Sequence, residues 1–582
     1  MTIEYLVLGV YLALVLVLGG IFSKFTRSLS DFVRGGAQGT WWMIGMSMFI
    51  AGISAFTFTG NASAVFEAGP TPLIIYAGNS LAFIVCGLGL AAWLRQTRAY
   101  TVADVIRERF GVTVEQVSAY FGLFIVPVSG SIQLWALANF AGSTFDFPLE
   151  ATIIVIGLFV MIYSTSGGKW AVVATDFVQG LIMMAITVVV MILSLNDIGG
   201  IGGFFEGISR PDIAEDYRFV KEPGAFEANK FSLLWIIVIF FNTMHYQVSL
   251  TASGRFLMAK DGNEAKKGAW LAAILMAGGA AIWFIPPMIA RVLYGDEIMA
   301  QTIDNPAAGS YAYIAFKLLP AGLTGLLIAA MFAATMSSLD SALNGQVGTV
   351  VRNIIPRFLE WRKLPPMSQR LEVSLCRILT LALGALIIWY SLQWAKQTEI
   401  VLFDAYLVIS SVVGLPLGLP MLAGLFVRRL WKYSYFVIAG MCLLPSLWAF
   451  VSENYFDQNW TIQGRILWIF IFGALGTLLS VYLARFDTDE YREKERAFFT
   501  KMKTPVDFAK EVGEDLDDMQ GKLMGNSAMV LGGLLALTVF IPNPWTGRLW
   551  CLAVAGGVAG VGYLLKRNAS RGKPVPSNTT SE

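Results

Sequence analysis

Residues 41–63 read WWMIGMSMFIAGISAFTFTGNAS, a stretch apolar enough to cross a membrane that nevertheless carries small and polar residues at its centre. In a bilayer, a helix can be interrupted only where the freed backbone groups lie inside the protein or line a cavity. The carbonyl groups freed by such a break can coordinate a cation. A continuous helix that packs closely through its small residues is the other interpretation of this stretch.

The composition indicates that the surrounding chain shares this membrane environment. Of 582 residues, 56% are hydrophobic and only 14% are charged, whereas soluble domains carry about 25% charged residues. Apolar runs of about 18 or more residues recur along the whole sequence and number about fifteen. The recurrence excludes a soluble protein with a single hydrophobic tail and predicts an all-α polytopic membrane protein.

The positions of the basic residues predict the orientation. If the N-terminus is outside and the spans alternate, about three quarters of the 42 Lys and Arg residues lie in cytoplasmic segments. We therefore expect the N-terminus outside and the C-terminus inside, as in the inner (plasma) membrane of a bacterium. The charged segment 485–525 is then a cytoplasmic connector, and segment 196–230 is an extracytoplasmic loop.

Two further spans carry ionisable residues at membrane depth, where such residues are costly and mark functional sites by default. Asp176 lies in YSTSGGKWAVVATDFVQG, residues 163–180, and Asp340 in GLLIAAMFAATMSSLDSALNGQVG, residues 325–348. Ser337 and Ser341 are four residues apart and share one helix face with Ala334. Hydroxyl and carboxylate oxygens suit a hard cation, although serines also join membrane helices by hydrogen bonds.

Enzymatic chemistry finds no support in the sequence. The chain has one histidine and four widely separated cysteines, so neither a zinc site nor a redox pair is predicted. The loops contain no reactive cluster, and GGIGG at 199–203 lacks the strand and helix of a phosphate-binding motif. We expect that the protein is not an enzyme and has no organic cofactor, no nucleic-acid partner and no obligate protein partner. Its expected partners are a small organic solute and the lipid bilayer.

Three motifs in this order resemble the sodium:solute symporter family. They are GGKWAVVATDFVQ at 167–179, GRFLMAKDGNEAKKG at 254–268 and AATMSSLDSALN at 333–344. The resemblance covers about residues 1–485 and implies a leucine-transporter-like fold of two inverted five-helix repeats with flanking helices. The implied division is 1–40, first span and cytoplasmic loop; 41–195, first repeat; 196–230, outer loop; 231–427, second repeat; 428–484, additional spans; 485–525, charged cytoplasmic loop; and 526–582, C-terminal hairpin and tail.

The resemblance also implies ligands for Na⁺. Motif by motif, the sodium site shared by the family falls on backbone carbonyls of the broken helix and on a carbonyl and two hydroxyls across from it: Ile50, Ile53, Ala334, Ser337 and Ser338. Some members have a second cation site, which falls on Asp176, Ser337, Asp340 and Ser341. Asp340 replaces the hydroxyl usual there, so the second site can hold Na⁺ or a proton.

The solute is less defined by the resemblance. The amide and carboxylate set of sugar-binding members is largely absent, with Gly52, Phe56 and Thr57 in the matching places. The fourth span has no arginine to bind a sialic acid carboxylate. Our predicted substrate contacts are Thr57, Tyr76, Asn79, Gln133 and Phe403.

Sodium-coupled symport of a sugar, sugar acid or similar solute into the cell is the function that the resemblance implies. A proton-coupled carrier using Asp176 and Asp340 and a solute sensor with a transporter fold are the alternatives. Dependence on Na⁺ separates the first alternative from symport with sodium.

Overall fold

The computed structural model describes residues 2–145, 148–301, 305–396, 414–456, 458–513 and 515–570. These residues form helices and connecting loops without a strand, apart from one isolated bridge between Gly39 and Ala259. The prediction of an all-α membrane protein is therefore confirmed in its architecture.

The first part of the chain contains a broken helix followed by long spans. Its helices are α1 (Thr2–Ser23), α2 (Leu29–Arg34), α3 (Trp41–Ala51), α4 (Ala55–Phe58), α5 (Gly60–Ala68), α6 (Leu73–Val85), α7 (Ala91–Gln96), α8 (Val102–Phe110), α9 (Val112–Phe145), α10 (Leu149–Asp197) and α11 (Gly200–Ile208). A π-helical turn, Cys86–Leu90, joins α6 to α7. Within α10, Gly168 has φ 58° and divides the helix into Leu149–Thr165 and Gly168–Asp197.

The second part repeats this order. Its helices are α12 (Leu233–Val248), α13 (Leu250–Ser253), α14 (Gly262–Met299), α15 (Ser310–Leu318), α16 (Leu323–Thr349), α17 (Ile355–Trp361), α18 (Gln369–Trp394) and α19 (Leu415–Phe426). Extended backbone at Ser249, with ψ 152°, interrupts the first of these spans as residues 52–54 interrupt the first span of the earlier part. The predicted span 401–427 is described only from residue 414 onward.

The remaining helices form two hairpins and a charged segment between them. They are α20 (Ser434–Tyr455), α21 (Ile462–Leu483), α22 (Asp489–Lys503), α23 (Phe508–Glu511), α24 (Asp517–Ala536) and α25 (Trp545–Ser570). α20 packs on α21, and α24 packs on α25. The acidic first turn and basic last turn of α22 suit its helix dipole.

Eleven described helices are long and apolar enough to span a membrane, and twelve when α3 to α5 count as one bent span. Three shorter apolar helices, Leu149–Thr165, Leu233–Val248 and Leu415–Phe426, coincide with other predicted spans. The number of spans, about fifteen, therefore stays a prediction, as does the orientation.

In the core, the first span of each part packs crosswise against the second span of the other part. α3 packs on α14, and α6 packs on α12, so each broken span lies beside the second span of the other part. The first backbone N–H of α3, at Trp41, donates to Glu264 of α14 at 2.8 Å. α16 is enclosed by α1, α3, α9, α10 and α18 and is almost entirely buried. Its polar residues therefore face protein rather than lipid.

Candidate functional site: the broken helix and its clamp

The first broken span ends its helical hydrogen bonding at Ala51 and resumes it at Ala55, with a bend of 54°. Within the break, the Ile53 N–H donates to the Ile50 carbonyl at 3.1 Å. The carbonyls of Ala51 and Ile53 turn instead toward α16. Glycine at 52 and serine at 54 permit this local geometry because neither favours the interior of a helix.

Two hydroxyl groups of α16 bind the freed backbone groups at the break. The Ser338 hydroxyl lies 3.2 Å from the Ala51 carbonyl oxygen, 3.1 Å from that of Ile53 and 3.2 Å from that of Ala334. One turn earlier, the Thr335 hydroxyl accepts a hydrogen bond of 2.8 Å from the Ala55 N–H. α16 thus satisfies both ends of the interruption.

The structure brings three of the five predicted sodium ligands to one point. Ile53, Ala334 and Ser338 meet there, and Ala51 supplies the second carbonyl at hydrogen-bond distance from Ser338. The Ile50 carbonyl accepts from Ile53 within the helix end. Three carbonyl oxygens around one hydroxyl oxygen form a compact set of the hard donors that small cations prefer.

Ser337 faces a separate buried cluster that contains both carboxylates. Asp176 is fully buried and accepts a hydrogen bond from the Ser47 hydroxyl of α3. The Ser337 hydroxyl approaches Asp176 without closing a hydrogen bond. Asp340 is also buried and interacts electrostatically with Asp176 and Lys169. α10 and α16 therefore bring together Asp176, Ser337 and Asp340 of the predicted second set, while Ser341 follows one turn after Ser337 on α16.

Several oxygen atoms of this cluster and of the next turns of α16 have no hydrogen-bond partner within the described part of the chain. Buried acceptors and hydroxyls rarely stay unpaired in native proteins, so such a group requires an explanation such as an ion or a water molecule. The unpaired oxygens are Asp176 Oδ1, Ser337 Oγ, Asp340 Oδ1, Ser341 Oγ and Asn344 Oδ1. Lys169 and Arg255 are the basic residues that interact with these carboxylates.

Two of the predicted substrate contacts lie in a buried hydrogen-bond chain beyond the break. The Tyr76 hydroxyl donates to Thr57 Oγ1 at 2.9 Å and accepts from Asn61 Nδ2 at 2.9 Å. The rings of Trp283 and Phe284 on α14 lie 5.7 Å and 4.9 Å from that of Tyr76. Hydroxyl and amide groups against an aromatic wall suit recognition of a small polar solute.

The other predicted contacts are placed less directly. Gln133 on α9 is half-buried, and its Oε1 has no hydrogen-bond partner among the described residues. Asn79 is half-buried one turn after Tyr76. Phe403 lies outside the described residues. Sequence reasoning missed Thr335 and Asn61, although both stand among the polar residues of motifs quoted above.

A bundle of apolar helices with an interrupted span, clamped by hydroxyls and flanked by buried carboxylates, defines a membrane transporter of the cation-coupled class. The family model described as the sodium:solute symporter family matches residues 32–439. The chain belongs to this family, whose members are transporters rather than enzymes. The predicted family and the predicted class of function, sodium-coupled solute symport, are confirmed.

Characterised relatives cover most of the chain at low identity. The sodium/sialic acid symporter NanT of Aliivibrio fischeri is 25% identical over 82% of this chain and 92% of its own length. The human sodium/myo-inositol cotransporter 2 is 27% identical over 75% and 68%. The sodium/glucose cotransporter of Vibrio parahaemolyticus is 25% identical over 61% and 69%.

Solved structures share the fold. A substrate-bound, outward-open Na⁺-coupled sialic acid symporter superposes with a TM-score of 0.68 at 20% identity, covering 84% of this chain and 98% of its own. Mhp1, a nucleobase-cation-symport-1 family transporter, reaches a TM-score of 0.50 at 14% identity, covering 81% and 98%. These similarities support the fold and leave the solute open.

Proposed function

We propose that this protein carries a small polyhydroxylated solute, such as a sugar, a sugar acid or an inositol, into a bacterial cell together with Na⁺. The convergence of the Ala51, Ile53 and Ala334 carbonyls on Ser338 carries the sodium part of the proposal. The relatives named for sialic acid, myo-inositol and glucose support the class of solute.

Na⁺ bound at this point would join the broken span to α16. Because the break also positions Thr57 for its hydrogen bond with Tyr76, the cation would stabilise the geometry of the neighbouring solute site. Coupling of this kind requires that the cation bind one conformation more tightly than the other. A single positive charge moving inward through 100 mV adds about 2.3 kcal/mol of driving force.

Thermal stability of the purified protein tests this proposal. Sugars, sugar acids, inositols, amino acids and carboxylates are added in NaCl or in KCl, and the unfolding temperature is recorded. We expect one compound class to raise the unfolding temperature in Na⁺ and not in K⁺. An equal rise in both salts would count against sodium coupling and favour the proton-coupled carrier or the solute sensor.

We further propose that Asp176, Ser337, Asp340 and Ser341 hold a second cation, because each has an oxygen without a hydrogen-bond partner among the described residues and the first three interact in one buried cluster. The Asp340→Ala variant is predicted to lower the number of Na⁺ ions transported per solute, since it removes one of the two carboxylates and leaves no oxygen ligand in its place. Parallel ²²Na⁺ and solute fluxes measure the ratio. An unchanged ratio would contradict a sodium ion at this site.

Proton coupling is the second candidate for this cluster, because two carboxylates that share a buried site do not readily ionise together. Under this candidate, solute uptake in Na⁺-free medium would be driven by an inward pH gradient. Loss of this pH-driven uptake in Asp340→Asn, together with normal uptake in Asp212→Asn on the exposed loop, would identify Asp340 as the proton carrier.

A further inference from the structure

The charged segment after α21 lies on the protein as an ordered strap. We call residues 489–513 and 515–517 the inner strap; it comprises α22, α23 and the beginning of α24. The apolar face of α22 is buried through Phe498, Phe499 and Met502. A segment expected from its charge to be a solvated connector is therefore packed against the helices.

One end of the inner strap is anchored on α8, the short helix that leads into α9. Arg109 is buried and pairs with Glu495 at 2.9 Å, while its Nε donates to the Gly424 carbonyl of α19 at 2.8 Å. Lys501 pairs with Glu108 at 2.7 Å. Because apolar and charged groups are buried together here, this end of the strap is the more firmly attached of the two.

The other end of the inner strap binds the inner ends of α7 and α14. Arg98, just after α7, forms two parallel hydrogen bonds with Glu511 at 2.8 Å and 2.7 Å. Lys260, just before α14, pairs with both Asp515 and Asp517. Lys260 is buried while its two partners are partly exposed, so water can reach and replace the carboxylates.

α22 packs on both α7 and α8, whereas Glu511, Asp515 and Asp517 pair with basic residues at the ends of α7 and α14. α7 and α14 belong to the crosswise-packed spans around the broken helix, and the backbone of Lys260 also bonds to Gly39 at the entrance to α3. α8 instead continues into α9, which packs on α16 and α18. The inner strap thus bridges the group that contains the break and the group that clamps it.

We propose that the inner strap is a releasable tie that opposes opening of the inner side during transport. Separation of the two helix groups at this face would stretch the segment between Lys501 and Glu511. The pairs of Glu511, Asp515 and Asp517 must then dissociate and the packing of α22 on α7 must separate, whereas the buried anchor on α8 persists. The inference rests on the proposed transport function, in which the site opens alternately to each side.

Spin-label distances test the tie. Labels at Asn263, at the start of α14, and at Arg362, after α17, report the separation of the two groups in the otherwise full-length protein. Glu511→Gln and the double variant Asp515→Asn with Asp517→Asn are compared with Asp507→Asn. Asp507→Asn removes one charge, as Glu511→Gln does, from a pair with Lys510 that lies wholly within the strap. Asp507→Asn combined with Asp489→Asn, whose partner Arg492 is also within the strap, removes two and is the control for the double variant.

In Na⁺-free buffer, we expect the double variant to increase the population with the longer distance at least threefold over the control. The charge exchange Arg98→Glu with Glu511→Arg is expected to lower this population again relative to Arg98→Glu alone. Distances in both tie variants that match the control would overturn the inference. So would a charge exchange that restores nothing although both proteins keep the unfolding temperature of the parent.

The same preparations distinguish a failure of the proposed function from a failure of the tie. Parent protein that shows no Na⁺-dependent stabilisation by any solute contradicts the proposed function. Parent protein that shows it, with unchanged distances in the tie variants, contradicts only the tie.

Discussion

Ser338 is the residue at which the broken span and α16 meet, because its single hydroxyl oxygen lies within 3.2 Å of three carbonyl oxygens. Without Na⁺, the hydroxyl proton can satisfy only one of those carbonyls at a time. A cation at this point would interact with all of them together. This geometry explains why the interruption is compatible with membrane depth.

The variant Ser338→Ala is predicted to raise the Na⁺ concentration for half-maximal stabilisation at least tenfold. That change corresponds to a loss of about 1.4 kcal/mol in binding free energy. A Na⁺ titration of the unfolding temperature at constant ionic strength measures it. Ser480→Ala is the matched control, because that buried serine bonds to the Gly476 carbonyl of its own helix at 2.8 Å. Equal Na⁺ dependence in both variants would remove Ser338 from the proposed site.

At the residue scale, the sequence predicted the side chains of the candidate site better than its backbone groups. Ser338 and Asp176 are recognisable because hydroxyls and carboxylates are expensive inside a membrane. Carbonyls carry no such signal, since every residue has one. Whether Ala51 or Ile50 turns its carbonyl toward α16 depends on where the last helical hydrogen bond forms. Thr335 shows the same limit, because its role depends on the Ala55 N–H, which donates to its hydroxyl across the break.

At the scale of elements, apolar length predicted the spans. Small residues left a break in the first one open, and the family resemblance implied it. The interruption at Ser249 was not anticipated, since its neighbours Val248 and Leu250 are as apolar as the rest of the helix. The kink at Gly168 depends on tertiary contact, because a Cβ at that residue would lie 2.9 Å from the Cα of Phe32. Docking of α22 likewise depends on long-range ion pairs that no local pattern contains.

The Arg98–Glu511 pair has a predictable dependence on pH. The hydrogen bond from Arg98 lowers the pKa of Glu511 below its ordinary value near 4.5. Its contribution to stability is therefore complete above pH 4.5 and is lost as the pH falls through the lower folded-state pKa. We predict that Glu511→Gln destabilises the protein at pH 7 by at most about 1 kcal/mol, as for other exposed ion pairs.

Thermal unfolding of Glu511→Gln and of the parent at pH 7 and pH 3.5 checks this prediction. The difference between the two proteins should shrink at the lower pH. Glu490→Gln, on the exposed side of α22, supplies the control for loss of a strap carboxylate. A difference that grew on acidification would show that the pair does not stabilise the folded state.

At the scale of the whole molecule, the distribution of charge and the crosswise pairing of helices support one arrangement. α3 lies on α14 and α6 lies on α12, as two inverted repeats related by an axis in the membrane plane would require. Arg98 after α7, Arg109 at the end of α8 and Arg428 after α19 each contact the inner strap. Low identity to the characterised relatives leaves the solute to experiment.

Labelling from the two sides of the membrane tests the proposed orientation. The four natural cysteines are buried, so single cysteines at Arg218, in the loop after α11, and at Arg496, on α22, should dominate labelling. We predict that an impermeant maleimide reaches position 218 in intact cells. It should reach position 496 only after the membrane is permeabilised. The reverse order would invert the proposed topology.

Sodium-driven uptake into proteoliposomes is the most direct test of the central claim. Radiolabelled sugars, sugar acids and inositols are offered with an inward gradient of Na⁺ or of K⁺ and with equal pH on both sides. The account predicts that at least one solute accumulates above its external concentration with Na⁺ and only equilibrates with K⁺. Equal accumulation under both gradients, or accumulation that requires only a pH gradient, would contradict sodium coupling through the broken helix.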